Sequence, residues 1–409
     1  MKINDNTKKA LILGAVCTIA YLAVYVARNV LSTVTTSLID IGYNESYIGR
    51  ISSSFFIFYA VGQLLNGIIG DKIKAKYMMC LGLLFAGVTN TIFPFVIANS
   101  FGAILIYGLT GFFLSMIYAP MTKVVSESML PTHGTRCAVA YSFAAAFGSP
   151  VAGALALMFT WQSAFAVSGG ILAAMAVMVF AIFGLLERQK YVKYGIGTKK
   201  EKGEKLVDGV KVLLKHQIVR YSFVSILTGI VRTSVVFWLP TYIANYLEYG
   251  KEVSISIYSV ITLVISLNAF FAVFVFERFK RSLEKTELLT FGLSTLFFLL
   301  TYLVKIPIIN VMMIGLAIFM ACSASSMMWT EYCLSLRETG LVSSATGYLD
   351  FLSYAAAAVA NILFADASSA IGWGNLVLVW TALMLIGVII CLPKKLLRKK
   401  VKTENIEVQ

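Results

Sequence analysis

Residues 67–76 read GIIGDKIKAK, a short polar and basic segment between two long apolar stretches of the chain. One apolar stretch covers about 47–70 and the next about 77–98. Each is close to the roughly 20 residues that a helix needs to cross the hydrocarbon core of a bilayer. A second charged segment, FERFKR at 276–281, follows another apolar stretch in the same way. The pattern therefore predicts membrane-spanning helices joined by short charged loops, and it occurs twice.

Apolar stretches of this length recur along the whole chain. Of its 409 residues, 59% are hydrophobic and only 13% are charged, whereas soluble domains carry roughly 25% charged residues. We therefore predict an all-α membrane protein with twelve transmembrane helices in two pseudo-symmetric six-helix bundles. The predicted spans are about 11–39, 47–70, 77–98, 101–122, 138–160, 162–186, 220–247, 253–276, 286–304, 307–335, 342–365 and 373–392.

The distribution of charge predicts the orientation of these spans. If both termini lie inside, 29 of the 34 Lys and Arg residues fall in the internal loops and terminal segments. Cytoplasmic loops of membrane proteins carry this excess of Lys and Arg. We therefore expect a multi-pass protein of the cell membrane with both termini cytoplasmic. Much of the net charge of +14 would then face anionic lipid.

The same sequence gives no indication of several other functions. Its basic segments lack the interleaved aromatic residues of a nucleic-acid binder. It has no nucleotide-binding loop, no nucleophile–base pair and no cluster with metal-ligand spacing. The six cysteines form no C-x-x-C pair and lie in or beside apolar spans. We therefore expect no enzyme activity, no metal, no cofactor and no nucleic-acid partner.

A basic loop divides the spans into two sets of six. The predicted domains are an amino-terminal bundle over 1–186, a basic linker over 187–219, a carboxy-terminal bundle over 220–393 and a basic tail over 394–409. The linker is expected to hold a short amphipathic helix near residues 205–216. Arg28 and Arg232 lie 204 residues apart, and Asp71 and Glu277 lie 206 apart. Matching features at nearly one offset indicate an internal duplication.

The segment GIIGDKIKAK resembles the Gly-x-x-x-Asp-Arg/Lys-x-Gly-x-Arg/Lys signature of the major facilitator superfamily, although Lys74 stands where glycine is usual. The resemblance implies two six-helix bundles around a central cavity. It also implies a conformational role, rather than substrate contact, for the charged loop after span 2 and its counterpart after span 8. The residues expected in this gate are Gly67, Asp71, Lys72, Lys76, Glu277 and Arg278.

Four further stretches resemble the organophosphate:phosphate antiporter branch of that superfamily, which transports glycerol phosphate and hexose phosphates. They read YVARNVLS at 25–32, GFFLSMIYAPMTK at 111–123, VRTSVVFWLPTYI at 231–243 and SSATGYLDFLSY at 343–354. The resemblance implies that Arg28 and Arg232 face each other at the membrane midplane and bind the substrate phosphate.

The residues themselves agree with that role. Both arginines lie near the middle of an apolar span, where a charged side chain costs on the order of 2.5–3.5 kcal/mol on insertion scales. The planar guanidinium matches phosphate oxygens in a bidentate geometry and stays charged at any working pH. The alternative is a permanent ion pair with a carboxylate such as Asp350, near the middle of span 11.

Polar aromatic residues surround these positions in the sequence. Tyr21, Tyr25 and Arg28 recur at i, i+4 and i+7, so they share one helix face, and Tyr59 and Gln63 form a second i, i+4 pair. Tyrosine suits a cavity because its ring packs and its hydroxyl forms hydrogen bonds. The predicted substrate-binding residues are Arg28, Arg232, Tyr21, Tyr25, Tyr59, Gln63, Tyr118, Asp350 and Tyr354.

The sequence also departs from the glycerol-phosphate pattern. Asn29 stands in place of a second basic residue, Gln63 in place of a lysine, and alanines near 144–146 in place of a histidine. The site is thus less cationic, which leaves alternatives open. The expected function is exchange of a phosphate ester for inorganic phosphate, by a monomer, through alternating access. The alternatives are proton-coupled transport of another organic anion or a drug, with Asp350 as the proton carrier, and a membrane sensor that binds its ligand without transport.

Overall fold

The computed structural model describes residues 5–70, 73–128, 131–192, 206–336 and 342–392, and within these ranges it contains helices and no strand. Long apolar runs produce this result because only internally hydrogen-bonded helices, or closed barrels, satisfy every backbone group in lipid. The α-helices in chain order are α1 Asp5–Asp40, α2 Glu45–Gly70, α3 Ala75–Val96, α4 Ser100–Leu114, α5 Tyr118–Ser128, α6 Pro131–Met158, α7 Trp161–Arg188, α8 Leu206–Lys215, α9 Ile218–Gly229, α10 Val236–Thr241, α11 Lys251–Ile265, α12 Asn268–Arg278, α13 Leu283–Leu303, α14 Pro307–Met327, α15 Cys333–Ser335 and α16 Val342–Cys391.

Ten helical stretches within the described ranges are long and apolar enough to cross a membrane. Two helices account for the difference from the twelve predicted spans. Helix α6, Pro131–Met158, has 28 residues and is long enough for a span, and its described apolar part is Phe147–Met158. The 50-residue helix α16 contains both predicted spans 11 and 12, and its helical geometry breaks at Gly372, where φ is +78°. Twelve spans are therefore consistent with the structure.

Two smaller predictions are confirmed. The boundary between the spans predicted at 138–160 and 162–186 is present as a tight turn, since α6 ends at Met158 and α7 begins at Trp161. Thr160 caps α7 because its hydroxyl accepts a hydrogen bond from the Ser163 backbone N–H. The short helix expected in the linker is α8.

Three π-helical turns interrupt the apolar helices. They cover Ile230–Val235 between α9 and α10, Tyr242–Tyr246 after α10, and Met328–Tyr332 after α14. A π-turn widens the helix locally, and such turns occur frequently at functional sites. Arg232 lies in the first of them.

The chain forms two compact units. Unit 1 comprises Met1–Glu204, Val236–Ser266 and Ala357–Ser369. Its core includes the α3–α7 and α1–α6 pairs. The ring of Phe93 packs at 4.9 Å from that of Tyr107 and at 4.8 Å from that of Phe165. Large buried aromatic rings of this kind contribute much of the packing energy of a core.

Hydrogen bonds hold the later segments of unit 1 against α1 and α2. The Ser32 hydroxyl donates to the Phe237 carbonyl at 2.6 Å. The Ser53 hydroxyl donates to the Ala358 carbonyl at 2.5 Å. The side-chain amide of Asn361 donates to the Ser52 hydroxyl at 3.1 Å. Hydrogen bonds from side-chain hydroxyls to a neighbouring helix commonly stabilise helix packing in membrane proteins.

Unit 2 comprises Lys205–Val235, Leu267–Ala356 and Ala370–Gln409. Helices α13 and α14 form its main packed pair, and the rings of Phe298 and Trp380 lie 6.0 Å apart between α13 and α16. The domain boundaries near 186, 219 and 393 stay a prediction.

Candidate functional site

Aromatic rings surround Arg28 in unit 1. The guanidinium carbon lies 5.4 Å from the ring centroid of Tyr25, 5.2 Å from that of Phe56 and 5.7 Å from that of Tyr59. All three distances fall within the roughly 6 Å range of cation–π attraction. Arg28 itself is half-buried. The three rings stabilise the guanidinium cation within the apolar helix.

The predicted tyrosine stripe of α1 forms a cluster beside this arginine. The ring of Tyr21 lies 5.0 Å from that of Tyr25, 5.4 Å from that of Tyr118 and 6.0 Å from that of Tyr141. The structure thus brings together the i, i+4 pair of α1 and the predicted Tyr118 of α5. Tyr141 of α6 is not among the predicted substrate residues. It is the first residue of the stretch YSFAAAF, where the glycerol-phosphate pattern has a histidine.

Gly148 allows α6 to approach α1 at this cluster. A Cβ atom on Gly148 would collide with the Cβ of Tyr25 and lie 2.9 Å from the Tyr25 carbonyl carbon. Real Cβ atoms do not approach backbone so closely, so any larger residue would push the helices apart. The Asn29 amide nitrogen, which replaces a basic residue of the glycerol-phosphate pattern, donates to the Tyr25 carbonyl at 2.7 Å. Both contacts fix the position of Tyr25.

Arg232 has a matching local environment in unit 2. Its Nη2 donates to the Ser353 hydroxyl at 3.4 Å, and its guanidinium carbon lies 5.7 Å from the ring centroid of Tyr354. A Cβ atom on Gly229 would lie 2.8 Å from the Cα and the carbonyl oxygen of Ser353, so a glycine is needed where α9 meets α16. Tyr354 was predicted, whereas Ser353 was not, although it directly precedes Tyr354.

The remaining predicted substrate residues occupy various environments. Tyr59 is 4% exposed, so its side chain is buried beside Arg28. Gln63 is half-buried one turn later on α2. Asp350 is half-buried on α16, about one turn before Ser353. Trp238 and Tyr242, which follow Arg232 in the sequence, are completely buried and serve as packing residues.

The predicted gate motif is only partly described. Asp71 and Lys72 lie outside the described residues, and Gly67 lies in α2. Lys76 forms an ion pair with Glu187, and Lys74 contacts the other oxygen of the same carboxylate at 2.5 Å. Glu187, at the end of α7, was not predicted. Two lysines on one carboxylate explain why Lys74 is useful where related sequences have glycine.

The counterpart of this motif in unit 2 is exposed. Glu277 and Arg278 form the exposed last turn of α12. A buried charged cluster lies elsewhere in the unit. Nη1 of Arg220 contacts Glu284 at 2.9 Å, and Nη2 contacts Glu287 at 3.8 Å and donates to the Cys391 carbonyl at 3.2 Å. This cluster joins α9, α13 and α16. Among the described residues no group of His, Cys, Asp and Glu side chains is arranged as a metal site.

The described helices of membrane-spanning length define a polytopic membrane protein, and each candidate arginine lies within one of these helices. The chain belongs to the Major Facilitator Superfamily, whose family model matches residues 17–361. It is therefore a multi-pass membrane protein of a transporter family, and not an enzyme.

Individual relatives are distant. The chain is 26% identical over 110 residues to a probable hexose phosphate transport protein of Chlamydia pneumoniae, covering 27% of this chain and 24% of that protein. It is 21% identical over 258 residues to the glycerol-3-phosphate transporter of Bacillus subtilis, covering 57% of each. It is 29% identical over 96 residues to the membrane sensor protein UhpC of Salmonella typhimurium, covering 23% of this chain and 22% of that protein.

The chain thus matches less than two thirds of the length of each of these relatives. Its fold is similar over nearly the whole chain to that of a bacterial homologue of the human lysosomal transporter Spinster in an inward-facing, unoccupied conformation. That comparison has a TM-score of 0.76 and 11% identity, and it covers 94% of this chain and 96% of the other. At this identity the similarity establishes the fold.

Proposed function

We propose that this transporter exchanges a small phosphate ester for inorganic phosphate across a cell membrane, with Arg28 and Arg232 as the phosphate-binding residues. The observation that carries the proposal is the pair of half-buried arginines within apolar helices, each beside a tyrosine ring. The planar fork of arginine matches the oxygens of a phosphate group in a bidentate geometry. Relatives named for hexose phosphate and glycerol-3-phosphate support the same substrate class.

The proposal includes the orientation and the assembly of the protein. The excess of Lys and Arg in alternate loops supports a cytoplasmic location of both termini. The turn between α1 and α2 would then lie outside. We propose that the protein acts as a monomer, because one six-plus-six set of spans supplies both arginines.

The two cations supply a reason for obligatory exchange. When the site is empty, two like charges in a low-dielectric environment repel each other, so closure around them is unfavourable. A bound phosphate neutralises both charges and makes closure favourable. A ligand shifts a conformational equilibrium by its differential affinity for the two states. In this mechanism the anion itself provides that difference, and alternating access proceeds only with an anion bound.

The test is exchange of inorganic phosphate in proteoliposomes. Vesicles are loaded with unlabelled phosphate, labelled phosphate is added outside, and uptake is measured for the unmutated protein, Arg28→Ala and Arg232→Ala. Arg188→Ala is the matched control, because Arg188 is exposed at the end of α7. We expect uptake by the unmutated protein and the control and none by the other two variants. Uptake by either arginine variant at the unmutated rate would contradict the proposed role of that residue.

A second candidate function is a membrane sensor, which the similarity to UhpC favours. A sensor would bind phosphate esters but would not exchange them. Calorimetric titration of the purified protein with hexose phosphate separates the two candidates. Binding that depends on Arg28, without any exchange, would assign the protein as a sensor. Neither binding nor exchange of phosphates would favour another organic anion, with proton coupling through Asp350 to be tested by the dependence of uptake on an imposed pH gradient.

A further inference from the structure

A cleft of about 300 Å³ lies in unit 1 at the turn between α1 and α2. This volume is at the lower end of the range for small-molecule sites. None of the residues that line the cleft is assigned above to the substrate or to the gate. Its lining residues are Gly42, Tyr43, Asn44, Ser46, Tyr47 and Arg50.

Arg50 gives the cleft its charge. Its side chain is exposed, and it forms no ion pair or hydrogen bond with any other residue that the structure describes. The two carboxylates of the adjoining helix ends contact other groups. Asp40 pairs with Lys251 at 3.4 Å, and Glu45 accepts a hydrogen bond from the Ser368 hydroxyl. The positive charge of Arg50 is therefore available to an anion.

The cleft is also held in a fixed shape. The rings of Tyr43 and Tyr47 stack at 5.7 Å, with 24° between their planes. The Tyr47 hydroxyl donates to the Ile97 carbonyl at 2.5 Å, and the Tyr47 backbone N–H donates to the Asn44 side chain at 2.7 Å. The hydroxyls of Tyr43 and Ser46 form no hydrogen bond with other described residues, so both can serve a ligand.

The sequence of the cleft repeats the pattern of the proposed substrate site. Tyr43, Tyr47 and Arg50 stand at i, i+4 and i+7 in YNESYIGR, as do Tyr21, Tyr25 and Arg28 in YLAVYVAR. Two tyrosines followed by an arginine thus occur at the same spacing in both places. An exposed arginine beside two hydroxyl donors suits a phosphate group, because phosphate oxygens accept hydrogen bonds from a guanidinium and from hydroxyls.

We infer that this cleft is a second anion site, which binds a phosphate group through Arg50 with the hydroxyls of Tyr43 and Ser46 as further donors. The phosphate can belong to a soluble phosphate or to the headgroup of a lipid at the membrane surface. The inference does not depend on the proposed transport function, because it rests on residues that have no part in that proposal.

The test measures how strongly an anion protects Arg50 from chemical modification. The full-length protein in maltoside micelles is treated with phenylglyoxal, which modifies arginine, and the adducts at Arg50 and Arg188 are quantified by mass spectrometry. Three samples are compared, one in sodium chloride, one in inorganic phosphate at equal ionic strength, and one in chloride with phosphatidylglycerol added to the micelles. Arg188 is an internal control for reagent consumption, since it is exposed and outside any described cleft.

We expect modification of Arg50 relative to Arg188 to fall by about threefold or more in phosphate or in phosphatidylglycerol, because a bidentate anion covers the guanidinium. Protection by inorganic phosphate assigns a soluble ligand, and protection by phosphatidylglycerol alone assigns a lipid headgroup. The double variant Tyr43→Phe, Ser46→Ala keeps Arg50 and removes the two donors, and we expect it to lose most of the protection. A ratio of Arg50 to Arg188 modification that is the same in all three samples would overturn the inference and leave the transport proposal unaffected.

Discussion

At the scale of single residues, the geometry of the guanidinium and not merely its charge is expected to matter. Arg28→Lys and Arg232→Lys keep a cation but lose the planar fork that binds two phosphate oxygens. Loss of one bidentate contact of this type costs about 1.5–3 kcal/mol, which corresponds to a loss of roughly ten- to a hundred-fold in apparent affinity. We expect the KM for phosphate in proteoliposomes to rise by that factor in each variant.

The control for this prediction is Arg188→Lys, which changes an exposed arginine at the end of α7. It should leave the KM unchanged. If both buried lysine variants transport phosphate with the KM of the unmutated protein, charge alone suffices and the bidentate mechanism is wrong.

At the scale of the helices, two glycines permit the close contacts that position the site. Gly148→Ala would force a Cβ against Tyr25, and Gly229→Ala would force one against Ser353. Overpacking of this kind typically costs about 1–3 kcal/mol. We expect both variants to unfold at a lower temperature in detergent and to exchange phosphate several-fold more slowly. Gly170→Ala on α7 is the control, because nothing lies within 4 Å of its Cβ position, and it should leave both quantities unchanged.

The buried ion cluster of unit 2 predicts a second effect at this scale. Glu287 is completely buried, and the Arg220 side chain is 12% exposed. Removing one partner of a buried pair leaves an uncompensated charge and costs about 3–5 kcal/mol. We therefore expect Arg220→Ala to lower the free energy of unfolding in mixed micelles by that amount.

An exposed pair provides the matched comparison. Lys251 and Asp40 are 39% and 64% exposed, so Lys251→Ala should cost no more than about 1 kcal/mol. The double variant Arg220→Ala, Glu287→Leu removes both buried charges and should recover most of the stability. Equal losses in Arg220→Ala and Lys251→Ala would show that the buried cluster has no special role.

At the scale of the whole molecule, the proposed alternating access requires that contacts at the ends of the helices break and reform. Asp40 of α1 and Lys251 of α11 are joined in unit 1. A cysteine at each position, joined by a short reducible crosslinker, should hold α1 against α11. If the contact must open in every transport cycle, crosslinking should reduce phosphate exchange to roughly a tenth or less. A reductant that cleaves the crosslinker should restore the exchange.

The native cysteines interfere little with this experiment. Five of the six native cysteines are buried and only Cys80 is half-buried, so Cys80→Ser provides a suitable starting protein. Asp40→Cys alone, treated with the same reagent, is the control and should retain exchange. Full exchange by the crosslinked double variant would contradict the requirement for opening at this contact.

Much of the fold was predictable because lipid restricts the chain to helices of one length. The apolar stretches therefore indicated nearly every span. The exceptions follow from local geometry: hydropathy cannot distinguish a loop between spans 11 and 12 from the backbone break at Gly372. Nor does any composition rule indicate the π-turn that contains Arg232, since it depends on how α9 packs against its neighbours.

The candidate site was predictable in its charges and less so in its supporting residues. The sequence alone indicates Arg28 and Arg232, because placing a cation in an apolar membrane helix costs free energy. Phe56, Ser353 and Gly148 carry no such signal, because they act through proximity that only the packed structure reveals. Glu187 belongs to the same class, since its partners Lys74 and Lys76 lie more than a hundred residues earlier.

The hydrogen bonds of Ser32, Ser53 and Asn361 in unit 1 have a consequence for the cost of hydration. Each such bond contributes only about 0.5–1.5 kcal/mol net, because water replaces the lost partner when the bond breaks. Water molecules can enter between segments joined in this way, and leave again, without a large free-energy barrier. A conformational step that takes up water is opposed by osmotic stress. Solutes too large to enter the hydrated space should therefore slow phosphate exchange as their concentration rises. Small solutes that enter this space should leave the exchange rate unchanged.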